Sequence, residues 1–159
     1  YNATFIKVDI TNGDSIWTKL NELDIQADIA LTCATQNEIN EHSALNLINI
    51  GVKLVAEGSN MGCTSEAVSV FNKHDVFYAG GKMANCGGVC VSQFEMQQNA
   101  SKSQWTAREV DHKLQEVMAH VFEICSDTSS EYNVTLTEGA NIISFLTVVD
   151  AMEKQGYIW

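Results

Sequence analysis

Apolar residues cluster in three short runs, Ala27–Thr32, Lys53–Ala56 and Val76–Ala79, each closed by polar or glycine residues. Runs this short, bounded by turn formers, read as buried strands rather than helices. Between them the spacing changes. Ser43–Ile50 places Ala44, Leu47 and Ile48 on one side of a helix, and Thr64–Phe71 does the same with Ala67, Val68 and Phe71. Strand, helix, strand, helix, strand is the βαβαβ rhythm of a parallel sheet. The predicted fold class is therefore α/β, a partial Rossmann-like (doubly wound, mostly parallel) sheet followed by C-terminal helices. Ahead of it the pattern predicts a strand over Phe5–Val8, a polar turn at Thr11–Asp14 and a short amphipathic piece over Ile16–Leu23.

Beyond the third strand the apolar positions recur at helical spacing. Thr106-Ala-Arg-Glu109 has the form of a capping box, in which the threonine hydroxyl and the glutamate carboxylate satisfy helix-start N–H groups reciprocally. Val110, Leu114, Val117, Met118, Val121 and Cys125 then make one stripe, the usual mark of core packing. Ser126–Tyr132 reads as a polar linker. The last helix is predicted over Ala140–Glu153, with Ile142, Phe145, Leu146, Val149 and Met152 as its apolar face and Gly156 at the C-cap. Two long helices exceed what one sheet face requires, so one of them is expected to pack against something outside this chain.

In parallel sheets ligands sit beyond the C-terminal strand ends. Here those ends carry Cys33–Glu38, Glu57–Asn60 and Gly80–Gly88. The amides of Gln36, Asn37, Asn60 and Asn85 would line such an edge with groups that both donate and accept hydrogen bonds, which suits a carboxamide or a ribose better than a metal. The stretch Tyr78–Ala100, with its two glycine pairs, reads either as strand, ligand-hugging loop and helix N-terminus, or as a glycine-rich connector with no ligand.

Composition narrows the class. Apolar residues make up 45% and charged residues 18% of the 159, the balance of a globular chain with a core. The net charge of −11, without a basic stripe, argues against nucleic acid or an anionic membrane surface as partner. No apolar run reaches the ~18–20 residues of a membrane span. Five cysteines lack CxxC spacing and read as reduced thiols of a cytoplasmic protein; Cys86 and Cys90 have no neighbouring histidine to complete a zinc site, and no metal is expected. The sequons at Asn2, Asn99 and Asn133 read as chance occurrences. The chain opens on Tyr1 rather than Met and is expected to be part of a longer product. It contains no proline.

Taken in order, several blocks resemble the C-terminal part of the small-subunit, hexameric glutamate dehydrogenases. They are Asp28–Glu38 (DIALTCATQNE), Ala56–Met61 (AEGSNM), Gly81–Val89 (GKMANCGGV), Ser92–Asn99 (SQFEMQQN), Trp105–Asp111 (WTAREVD), Gly139–Ile142 (GANI) with Val149–Met152 (VDAM), and Gln155-Gly156. The resemblance runs from Asp28 onward and is loose over residues 1–24. It implies reversible oxidative deamination of L-glutamate to 2-oxoglutarate and ammonia with NAD or NADP, by a two-domain enzyme working as a homo-oligomer. Residues 1–104 would be the second half of the nicotinamide-cofactor-binding domain. Residues 105–159 would be helices returning toward a substrate domain that this chain does not contain.

The resemblance further implies that Thr35, Gln36 and Asn37 lie along the cofactor ribose, with Gly58 beside the cofactor. Asn60 would bond the nicotinamide ribose or amide, and Asn85 the carboxamide. Val89 and Ser92 would reach the amino-acid substrate. On residue type alone, Ser92 reads sooner as a helix-surface hydroxyl and Asn85 as a turn-stabilising amide. No GxGxxG turn is present, so the pyrophosphate cradle and the residue selecting NAD or NADP lie elsewhere. No lysine matches the family's catalytic lysines, so no catalytic residue is assigned and the isolated chain is expected to be inactive. Thr32, Gly62 and Gly80 stand where the family usually has proline, which is expected to loosen the loops around the site, since proline restricts the unfolded chain. Ser59 and Cys86 stand where alanine is usual. The alternative is a non-catalytic Rossmann-like binding or assembly module derived from the family. A leucine- or phenylalanine-type dehydrogenase of the same superfamily is a third reading, less consistent with Trp105-Thr-Ala and the Gly-Ala-Asn-Ile ending.

Overall fold

A computed structural model of the chain describes residues 3–8, 16–20 and 22–156. Two compact units form, Tyr1–Tyr78 and Ala79–Trp159. The elements of the first are α1 (Ile16–Lys19), β1 (Ile29–Thr32), α2 (Glu41–Asn49), β2 (Leu54–Glu57), α3 (Ser65–Lys73) and most of β3 (Phe77–Ala79). The strands form one parallel sheet in the order β1-β2-β3, with Ile29 opposite Leu54 and Thr32 opposite Glu57. The α/β reading from the apolar runs is what the chain adopts.

The helices α2 and α3 each begin where a side chain satisfies one of the first N–H groups. Asn40 Oδ1 accepts from Ser43 N–H at 2.9 Å to start α2, and Thr64 Oγ1 accepts from Ala67 N–H at 3.3 Å to start α3. Both helices pack on the same face of the sheet. Sequential strand order with right-handed crossovers requires this, because each crossover returns over the same side. Ala30 and Val55 point into that face and meet Ala44, Leu47, Ala67, Val70 and Phe71. Phe71 is fully buried and its ring stacks on Tyr78 at 6.3 Å between centroids. Ile29 and Leu31, on the opposite face, are 57% and 59% exposed. The unit is thus one wound half of a doubly wound arrangement.

The strand predicted over Phe5–Val8 does not form. Residues 3–8 carry no regular structure, and no strand among the described residues pairs with them to satisfy their backbone groups. The polar turn predicted at Thr11–Asp14 lies outside the described residues. The piece predicted over Ile16–Leu23 is helical only over α1, whose Trp17 packs on the core with Leu20 behind it.

In the second unit the chain leaves β3 without a long loop. Gly80 caps α4 (Gly81–Ala84), and after Asn85 the helix resumes as α5 (Cys86–Ser101). Then follow α6 (Ala107–Tyr132) and α7 (Leu136–Gln155). The capping box at Thr106 and Glu109 is present as predicted, and a second one, Thr135 with Glu138, opens α7. The linker predicted over Ser126–Tyr132 is instead the last part of α6. Thr128 Oγ1 donates to Ile124 O at 2.7 Å and Ser130 Oγ to Ser126 O at 2.9 Å within the helix, while Ser129 Oγ donates to Val134 O, just past its end, at 2.6 Å. Small side chains there let α7 approach closely. A Cβ added to Gly139 would lie 2.8 Å from Cys125 O and 2.9 Å from Ser129 N. Cys125, Ala140 and Met83 form the small core of this unit, with Val121, Ile124 and Ile143 around them. Gly156 follows α7 with φ +82°, the backbone role expected of it.

Candidate functional site

The first two of the three predicted loops come together at the C-terminal end of the sheet. The first follows β1 through Cys33–Glu38, the second follows β2 through Gly58–Gly62, and backbone hydrogen bonds lace one to the other. Ser59 N–H donates to Thr32 O at 2.8 Å, Asn37 N–H to Met61 O at 2.7 Å, and Ile39 N–H to Gly62 O at 3.0 Å. An isolated parallel bridge between Ile39 and Cys63 closes the seam. Thr35, Gln36, Asn37, Gly58 and Asn60 all stand exposed on the rim this creates.

Close approach demands glycine at Gly62, against the buried Thr32, and favours it less strictly at Gly58, against the tip of the exposed Cys33 side chain. A Cβ on Gly58 would lie 2.6 Å from Cys33 Sγ, and one on Gly62 would overlap Thr32 Oγ1. Thr32, expected in a loosened loop, is the fully buried last residue of β1. Two of the three positions where proline is missing are therefore packed against each other. Asn37 and Met61 take left-handed backbone at φ +54° and +55°. Asparagine tolerates this readily; for methionine it stores strain that the neighbouring bonds must hold.

Beneath the rim lies a buried polar group that the sequence reading passed over as the end of a strand. Glu57 is 3% exposed. Its Oε1 accepts from Cys63 N–H at 2.7 Å, and the Tyr78 hydroxyl and Cys63 thiol also hydrogen-bond to it. Burial, reinforced by the Glu57 carboxylate, pushes both the Tyr78 hydroxyl and the Cys63 thiol well above their usual ranges. An acidic residue closing an otherwise apolar strand was the available signal, because a carboxylate there must find donors. Thr32 Oγ1, also buried, has no hydrogen-bond partner among the described residues.

The third predicted loop, Gly80–Gly88, is mostly helix. Gly80 has φ −66° and ψ 154°, and its carbonyl accepts from Met83 and Ala84 N–H groups. Asn85 joins α4 to α5, and its side chain makes no cap bond to the start of α5. Gly87 serves packing: a Cβ there would meet Leu114 and Met118 of α6 at 3.3 Å. Val89, 72% exposed, and Ser92 lie three residues apart on α5 and so share a face. Ser92 Oγ donates back to Gly88 O at 3.3 Å. The helix buries none of its residues within the chain. Thr35 to Asn37 and Gly58 with Asn60 thus form one cluster in the first unit; Asn85, Val89 and Ser92 lie along one helix start in the second. Among the described residues no group of histidine, cysteine and carboxylate side chains could hold a metal ion, all five cysteines are free, and no single helix is long and apolar enough to cross a membrane.

The family model described as Glutamate/Leucine/Phenylalanine/Valine dehydrogenase matches residues 2–156. The chain belongs to this family. It is 49% identical over 137 residues to an NADP-specific glutamate dehydrogenase of Chlorella sorokiniana, covering 86% of this chain and 26% of that protein. It is 41% identical over 167 residues to one of Agaricus bisporus, covering 92% and 36%. Among solved structures, Plasmodium falciparum glutamate dehydrogenase superposes with a TM-score of 0.84 at 36% identity, over 92% of this chain and 31% of that one. The chain therefore spans about a third of the length of these relatives.

Proposed function

We propose that this chain is the C-terminal, coenzyme-side part of an NADP-dependent glutamate dehydrogenase of the small-subunit, hexameric type, a cytoplasmic enzyme. Residues 1–104 form the second half of its cofactor domain, and residues 105–159 return toward a substrate domain supplied by the rest of the protein. NADP rather than NAD is the reading supported by its NADP-specific relatives.

The observation that carries the reading is the laced pair of loops at the C-terminal end of a parallel sheet, the position where such sheets take nucleotide ligands. The residues present fit that group. The rim is exposed and, apart from Glu38, whose Oε1 accepts from Ala34 N–H at 3.3 Å, uncharged; its threonine, glutamine and asparagine side chains match a ribose's need for paired donors and acceptors. Glycine at 58 keeps the floor low. Thr35, Gln36, Asn37, Gly58 and Asn60 would hold the ribose side and Asn85 the carboxamide. Val89 and Ser92 would contact glutamate or 2-oxoglutarate. When bound, the nicotinamide supplies the hydride chemistry. These residues orient it, and none of them moves a proton in the reaction.

A chimera tests the reading. The matching third of an NADP-specific glutamate dehydrogenase is replaced by this chain and assayed for glutamate-dependent NADP reduction. Activity in a folded hexamer is expected. A folded hexamer that binds neither NADP nor glutamate would instead mark the chain as a binding or assembly module that keeps the fold without the chemistry.

A further inference from the structure

We infer that Glu57 is the positioning residue of the cofactor-side rim: its buried carboxylate fixes the loop Gly58–Gly62, and through that loop the side chain of Asn60. The inference rests on the nicotinamide reading for its functional meaning and on the geometry of one loop for its substance.

The loop leaves the sheet at Glu57 and re-enters ordered structure at Cys63, where α3 is about to begin. Glu57 spans that gap, since its Oε1 accepts the Cys63 N–H at 2.7 Å. Tyr78, held by its stacking on the buried Phe71, donates its hydroxyl to the same carboxylate from the adjacent strand. The carboxylate is therefore fixed by the core on one side and fixes the loop's far end on the other. Between these points the loop contains Met61 in a left-handed conformation, which persists only where the surroundings over-determine it. The bond from Ser59 N–H to Thr32 O holds the N-terminal flank of that strained residue, and the bonds from Asn37 N–H to Met61 O and from Cys63 N–H to Glu57 hold the C-terminal flank. Asn60 lies at the exposed tip, so its placement follows from both. Removing the Glu57 side chain leaves the buried Cys63 N–H without its acceptor and with no water to turn to, the costly way to lose a hydrogen bond.

The test is hydrogen exchange by NMR on the full 159-residue chain, comparing Glu57→Ala and Tyr78→Phe with the unsubstituted protein. Glu57→Ala is expected to speed exchange at Cys63 N–H and through the loop by about tenfold or more. It is also expected to shift the Asn60 side-chain amide resonances, while the β1–β2 ladder amides change little. Tyr78→Phe keeps the ring on Phe71 and should give the same local pattern at smaller amplitude; it decides the matter should Glu57→Ala fail to fold. Equal acceleration of loop and ladder in the variant that folds would overturn the inference, since that is what a merely structural residue gives. An unmoved Asn60 amide would overturn it as well. Titrating NADP into the unsubstituted chain separates the two readings: absence of a response there counts against the nicotinamide site, while the exchange pattern still judges Glu57.

Discussion

Replacing Gly139 by alanine sets two effects of opposite sign against each other. In an open helix the change is favourable by about 0.5–1 kcal/mol, since glycine loses more backbone freedom than alanine on folding. At Gly139, however, the added Cβ would lie 2.8 Å from Cys125 O, 2.9 Å from Ser129 N and 3.0 Å from Ser129 Cα. All three are backbone atoms of a continuous helix and cannot rotate away, so α7 must move off α6 by several tenths of an ångström to restore ordinary contact. Overpacking of this kind costs about 1–3 kcal/mol. The net expectation for Gly139→Ala is a loss of about 1–2 kcal/mol. Gly88→Ala is the internal control: the residue is helical, in α5, and a Cβ there meets nothing within 4 Å. It should gain about 0.5–1 kcal/mol. Urea unfolding followed by far-ultraviolet circular dichroism gives both values. The packing argument is refuted if Gly139→Ala stabilises the chain as Gly88→Ala does.

Three further outcomes follow from the same structure. Phe71→Ala empties the centre of the first unit's core and should cost about 3–5 kcal/mol in the same urea assay. A thiol reagent at neutral pH should modify exposed Cys33 first and leave Cys63 unreacted until the unit unfolds, because burial and Glu57 hold that thiol protonated; mass spectrometry of the labelled chain reads the order. Backbone N–H donation from Thr106 and Thr135 holds the Glu109 and Glu138 carboxyls below their usual range. Their contribution to α6 and α7 is therefore present above that range and lost as pH falls through the lowered values. Helicity should drop on acidification below about pH 4, and Glu109→Gln with Glu138→Gln should flatten that drop.

The sequence carried the sheet because each strand is a short apolar run and each helix beside it keeps one apolar face. It carried the Thr106–Glu109 box for the same reason, local chemistry at fixed spacing. The equivalent pattern Thr135–Glu138 was present and went unused, since the serine- and threonine-rich stretch before it looked like a linker. The hydroxyls of Thr128 and Ser130 bond within α6 and that of Ser129 to Val134 O beyond its end, in small side chains that let Gly139 in. After β3 the glycines suggested a loop, whereas the stretch is mostly helical and Gly87 makes room for Leu114 and Met118 of α6. The seam between the Cys33–Glu38 and Gly58–Gly62 loops was beyond reach from the sequence. It depends on the register of two separated segments, and no periodicity encodes which carbonyl Asn37 will find. Glu57 illustrates the same limit, because its partners Cys63 and Tyr78 come together only once β2 and β3 lie side by side.

The most direct test of the account is an NMR titration of NADP into the 159-residue chain. With one wall of the site on this chain, binding should be weak, in about the millimolar range, and saturable. The shifts should be confined to Thr35–Asn37, Gly58, Asn60 and Asn85. Micromolar affinity would contradict the picture of a partial site. So would shifts that spare these residues at millimolar NADP.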